Sequence, residues 1–115
     1  MPRRFYVLAS ALLLTACGSI TVPVSGKMED GTAFAGKATA SLSGGTFEAI
    51  APNGIYCTGT YDALSSKPTI TMTATCKDGR TANIVSTRNK DMVSGNGTIV
   101  LSDGTKGTFN FGKGS

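Results

Sequence analysis

Three cysteines are the residues with the most chemistry to offer in this chain of 115. Cys17 ends the run Leu14-Thr15-Ala16-Cys17, which follows Arg3-Arg4 and an apolar stretch from Phe5 to Leu14. Small residues before a cysteine, at the end of a short apolar segment, make a bacterial lipobox. This predicts cleavage before Cys17 and a lipid on it, with palmitate among its acyl chains. The apolar stretch is shorter than the roughly 20 residues a spanning helix needs. Its basic start and small-residue end read as a removable signal. Arg3-Arg4 lacks the surrounding residues that would complete a twin-arginine motif, so an ordinary basic leader is the better reading. Cys57 and Cys76 remain, in a compartment where disulfides persist, and a bridge between them is expected. The rival use is a metal site. It needs more ligands, yet the chain has no His and its seven carboxylates are scattered. No metal and no cofactor is expected.

Catalytic chemistry finds little to work with. Without His, neither a Ser–His nor a Cys–His pair can form. Ser94-Gly95-Asn96 matches one element of penicillin-binding enzymes, but the companion motifs are missing. Ser65-Ser66-Lys67 and Lys106-Gly107-Thr108 have the wrong spacing and order. Asp62, Asp78 and Asp103 are better explained by turn chemistry than as an acid–base pair. Gly95-Asn96-Gly97 lies within a strand and opens no helix, so it is no nucleotide loop. The chain reads as a non-enzyme.

These residues must be positioned by strands. The mature chain alternates apolar residues with Thr, Ser and Gly, shows no helical period, and carries turn signals about every ten residues, as small all-β domains do. Four turns are of one kind: Glu29-Asp30-Gly31, Pro52-Asn53-Gly54, Lys77-Asp78-Gly79 and Ser102-Asp103-Gly104. Read as three-residue loops, they keep one apolar face throughout, which a one-residue slip would invert. Phe34 then lies opposite Gly26, Phe47 opposite Gly59, Phe109 opposite Gly97 and Phe111 opposite Gly95. Rings covering glycines are a known sheet device. Gly44-Gly45 is read as a two-residue loop pairing Leu42 with Phe47. Residues 88–91 are read as a four-residue loop pairing Ser86 with Val93, which puts Val93 on the inner face. Cys57 falls opposite Cys76, a staple inside the core.

The expectation is eight strands in up-and-down order, near 20–28, 32–42, 46–51, 55–61, 69–76, 80–86, 92–101 and 105–111. No helix is available to cover the apolar face, so it must close as a small barrel or a strongly coiled sheet. The inner face is rich in Ala and Gly, which favours a filled interior over a lipocalin-sized cavity. The domain plan is a signal at 1–16, a lipid-anchored tether at 17–19 and one β-domain at 20–115.

Loss of the signal removes Arg3 and Arg4 from 11 basic residues, leaving nine against seven acidic ones, a mature net charge of +2. No basic stripe with interleaved aromatics is present, which argues against nucleic acid. Thr69, Thr71, Thr73 and Thr75 resemble the rows of ice-binding proteins, but threonine is also an ordinary residue for the wet face of a strand. On the outer face Ile50 should lie opposite Tyr56 with Lys77 beside them, an apolar pair next to a cation that could form a contact patch, although scattered apolar residues are ordinary on a protein surface.

The runs Cys57-Thr58-Gly59-Thr60-Tyr61, Cys76-Lys77-Asp78-Gly79-Arg80, Gly95-Asn96-Gly97 and Leu101-Ser102-Asp103-Gly104 resemble small predicted lipoproteins of alphaproteobacteria. The resemblance covers roughly residues 45–112 plus the lipobox. It implies an envelope address and no assigned activity. Gly95 to Gly112, with Gly107-Thr108-Phe109, also resembles a MORN repeat, which implies hairpin geometry there. The expected role is structural or protein-interacting, tethered to the membrane by the lipid on Cys17 and meeting a protein partner in the envelope. Gly18 is not the Asp that signals inner-membrane retention, so the outer membrane of a Gram-negative bacterium is the expected site. The alternative is a binding module, either an inhibitor of an envelope hydrolase or a carrier of a small ligand.

Overall fold

The computed structural model describes residues 18–52 and 54–112. The lipobox residues Leu14, Thr15, Ala16 and Cys17 lie outside them. Eight strands follow in chain order: β1 Ser19–Met28, β2 Ala33–Ser41, β3 Gly44–Ile50, β4 Tyr56–Tyr61, β5 Thr69–Cys76, β6 Thr81–Arg88, β7 Gly95–Leu101 and β8 Lys106–Phe111. Each pairs antiparallel with the next, and β8 pairs with β1, so the sheet closes into a barrel.

The four Gly-ended turns are three-residue loops. Gly31, Gly54, Gly79 and Gly104 sit at φ 94°, 85°, 93° and 90°, where an L side chain would be strained. The amide of each bonds back three residues, as Gly79 N–H does to the Cys76 carbonyl at 3.0 Å. These loops fix the register. Phe34 lies opposite Gly26, Phe47 opposite Gly59, Phe109 opposite Gly97 and Phe111 opposite Gly95. The rings rest on the glycines: a Cβ added at Gly59 would sit 2.5 Å from Phe47 Cζ, and one at Gly26 would sit 2.4 Å from Phe34 Cζ. Tyr61 covers Gly45 in the same way, 2.5 Å from the corresponding position.

Two connections differ from the sequence reading. Between β2 and β3 the loop is Leu42-Ser43, with Ser41 opposite Gly44 and Ala38, not Leu42, opposite Phe47. Leu42 is 83% exposed at the tip. Between β6 and β7, Ser86 lies opposite Gly97 rather than Val93, and Val93 sits exposed in a longer loop. The Asp91 carboxylate gathers that loop by accepting from the amides of Val93 and Ser94, both at 3.0 Å, and from Ser94 Oγ. In both cases the partner moves by four residues. An even shift keeps every side chain on its face, so face consistency could not detect it.

A row of partners that starts at Thr21 passes through Thr39, Thr46, Thr60, Thr73, Asn83, Val100 and Lys106 and returns just past the end of β1 at Glu29, eight residues on. A stagger equal to the strand number makes a narrow barrel whose interior side chains fill or nearly fill. Five of the eight residues from Thr21 to Lys106 in that outward row are threonine. The row is not the continuous apolar band that a membrane-spanning barrel turns outward.

The two ends differ. One carries the four Gly-ended turns, and the buried Ala74, Cys76, Ala82 and Leu101 lie toward it. The other carries the first residue of β1, the last of β8 and the loops at 42–43, 62–68 and 89–94. The buried apolar side chains, Ala74, Cys76, Ala82, Ile84 and Leu101, all belong to β5, β6 and β7. Cys57 and Cys76 are direct cross-strand partners joined by a disulfide, with Cα atoms 3.9 Å apart.

Candidate functional site

The barrel interior is the candidate site, and it is not completely filled. Val22 and Val24 of β1, Phe34 and Ala38 of β2, and Phe47 and Ala49 of β3 point inward, yet none is fully buried. They line a cavity of about 100 Å³ with Ile70, Met72, Ile99, Phe109 and Phe111 from the other side. The lining is almost wholly apolar. Its polar members are Glu48 of β3, paired with Lys37 at 3.9 Å, and, toward the open end, Tyr61, Ser86 and Arg88. A filled interior was expected from the Ala and Gly content. The cavity is indeed well below the roughly 300–1,000 Å³ of drug-sized pockets, but it is a cavity.

Arg88 is the residue the sequence reading missed. The alternation of β6 runs without a break from buried Ala82 through Ile84 and Ser86 to Arg88, while Thr81, Asn83, Val85 and Thr87 face out. Arg88 is only 8% exposed. Its Nη2 donates to the Ser65 carbonyl at 2.7 Å and to the Lys67 carbonyl, and its backbone N–H donates to the Pro68 carbonyl at 2.7 Å. The 62–68 loop is thereby pinned to the barrel mouth. Its Nε is buried with no hydrogen-bond partner, and none of the ion pairs among the described residues involves it. The signal in the sequence was the two-residue period itself, which continues to residue 88 once the following loop is placed after it.

Two further side chains shape the mouth. Burial pushes the Tyr61 phenol above its ordinary pKa, against the opposing pull of the Arg88 charge. Met92 adopts φ 65°, a left-handed conformation that costs an L-residue about 1–2 kcal/mol, and its side chain joins the cavity lining.

No family model and no curated protein matches this chain. Two solved structures resemble it in fold. One is a redesigned β-barrel, mFAP1, bound to DFHBI, with a TM-score of 0.62 and 17% identity over 81% of this chain and 92% of that one. The other is the redesigned barrel mFAP0, also bound to DFHBI, with a TM-score of 0.62 and 19% identity over 81% of this chain and 95% of that one. At such identities the likeness is one of architecture.

The aspartates are occupied by turns. Asp30, Asp62, Asp78, Asp91 and Asp103 each accept a bond from the backbone amide two residues on, at 2.8, 3.1, 3.0, 3.0 and 2.9 Å. The Thr105 hydroxyl and amide, followed by Arg80, hold the Asp103 carboxyl down to about 2. Arg80 bridges Asp78 at 2.8 Å and Asp103 at 3.0 Å, tying two neighbouring turns together. Among the described residues no cluster of three or more acidic, Cys or His side chains is placed to hold a metal. On the outer wall Ile50 lies opposite Tyr56 and is 49% exposed, and the Lys77 ammonium stands 5.4 Å from the Tyr56 ring centre. The sequence reading brought these three together, and so does the fold.

Proposed function

We propose that this chain is a lipid-anchored envelope protein whose barrel carries a small apolar ligand. The observation that supports the carrier reading is the half-open inner face of β1–β3. Apolar side chains in a narrow barrel are normally packed away, yet here Val22, Val24, Phe34 and Phe47 stay partly exposed around a cavity. An apolar site with an open mouth and a few polar groups at its rim is the usual form of a ligand pocket. The likeness to two ligand-bound redesigned barrels supports the same reading. The lipobox at Leu14 to Cys17 supports the anchor.

The test is a titration of the isotope-labelled protein with benzamide, a small neutral apolar probe, followed by NMR. The inner-face methyl groups of Val22, Val24 and Ile70 should shift together and saturably. Shifts confined to outer-wall threonines, or none at all, would remove the carrier reading. A protein-contact role at Ile50, Tyr56 and Lys77 is the second reading, favoured by the cation held over the ring. Crosslinking from Lys77 in intact envelopes that captures no protein would dismiss it.

A further inference from the structure

We infer that the ligand is a small apolar monocarboxylate, with its acid group on Arg88 at the mouth and its apolar body in the cavity. This rests on the carrier reading above and names the chemistry of that site.

Arginine keeps its charge under all conditions in a protein. A cation withdrawn from water needs a partner, and a buried charge without one is an expensive arrangement. Arg88 is more than nine-tenths buried in an apolar lining. Its two Nη2 contacts go to the neutral carbonyls of Ser65 and Lys67, which supply dipoles and no negative charge. Nε–H is a buried donor with no hydrogen-bond partner. The structure therefore holds a fixed cation and an unused buried donor, both at the polar edge of an apolar hole. A carboxylate answers both, since charge-assisted bonds from a guanidinium to a carboxylate are among the strong ones.

The rest of the rim narrows the choice. Tyr61 lines the same cavity. Burial keeps its phenol protonated across the physiological range, so it adds a donor and no competing charge. A phosphate dianion would need more cations than one arginine, and it has no apolar body to fill the cavity. The cavity of about 100 Å³ limits the apolar body to about the size of benzene or a short alkyl chain, since an engineered apolar cavity of ~150 Å³ binds benzene. Loop 62–68 is held by the same guanidinium, so Arg88 also fixes the shape of the entrance.

Benzoate and benzamide make a matched pair that differs in charge, and inorganic phosphate is a bare-anion control. In the purified full-length chain, benzoate should bind at least tenfold tighter than benzamide. It should move the Arg88 Nε–H proton resonance downfield, which benzamide and phosphate should not. In Arg88→Met the preference for benzoate over benzamide should vanish. Benzamide binding as tightly as benzoate overturns the carboxylate assignment and leaves the carrier reading standing. Phosphate moving the Nε–H resonance as far as benzoate also overturns it, in favour of a bare-anion site. Neither aromatic probe binding removes both readings. Should Arg88→Met fail to fold after losing its hold on loop 62–68, the wild-type Nε–H resonance decides alone: an unmoved signal at saturating benzoate defeats the proposal.

Discussion

Gly59 has no side chain, and the Phe47 ring occupies the place where one would be. An alanine there would bring its Cβ to 2.5 Å from the ring and 2.4 Å from the Thr73 carbonyl oxygen. The ring could turn aside only by giving up its place in the core, and the carbonyl belongs to a ladder that cannot move. Gly59→Ala should therefore destabilise the barrel by about 1–3 kcal/mol, the usual cost of overpacking. Urea unfolding read by circular dichroism measures it, with Thr58→Ala on the wet face as a control expected within about 0.5 kcal/mol of wild type. The Phe–Gly pairs were legible in the sequence because each is fixed by a short turn a few residues away. Arg88 was not. A charged residue beside Asn89 and Lys90 reads as loop, and only the partner strand shows that the inner row continues through it.

The elements show the same division. Where a turn has three residues ending in a left-handed glycine, its length is set locally and the strand register follows. Where a loop is stapled by its own side chains, as Asp91 does with Ser94, its length depends on hydrogen bonds that composition does not reveal. Both errors were shifts of four residues, the kind that an in–out pattern cannot detect. The turn aspartates carry a pH prediction. Asp30, Asp78, Asp91 and Asp103 are all held below their ordinary value of 3.8 by bonds to backbone amides and to Thr, Ser or Arg side chains, Asp103 to about 2. As pH falls below about 4, the unfolded chain takes up protons before the folded one, so stability falls with it. The contribution is complete above that point and is lost toward pH 2. The urea midpoint should drop between pH 4.5 and pH 2.5. Asp103→Asn should flatten that slope, and an unchanged slope would remove Asp103 as its source.

At the scale of the whole molecule, closure was legible from what the chain lacks. Eight strands with one apolar face and no helix to cover it have few ways to hide that face, and joining β8 to β1 is the simplest. The cavity in the interior was not legible, because composition gives the summed volume of side chains and not where around the barrel they fall. The fully buried apolar set is small and confined to β5, β6 and β7. The Cys57–Cys76 bridge, which ties β4 to that wall, should thus contribute a large share of the net stability. Replacing both cysteines by serine should cost about 3 kcal/mol, chiefly through a freer unfolded chain. A loss below about 1 kcal/mol in denaturant melts would show that the wall stands without its staple.

The difference between the two barrel ends has an orientational consequence. β1 begins at Ser19, two residues after Cys17, and it begins at the end that carries Arg88 and the open mouth. With a lipid on Cys17, so short a leash would turn that mouth toward the bilayer and leave the four Gly-ended turns facing the aqueous side. An apolar acid leaving the barrel would then meet headgroups before bulk water, and the protein would exchange its cargo with the membrane surface rather than with the surrounding fluid.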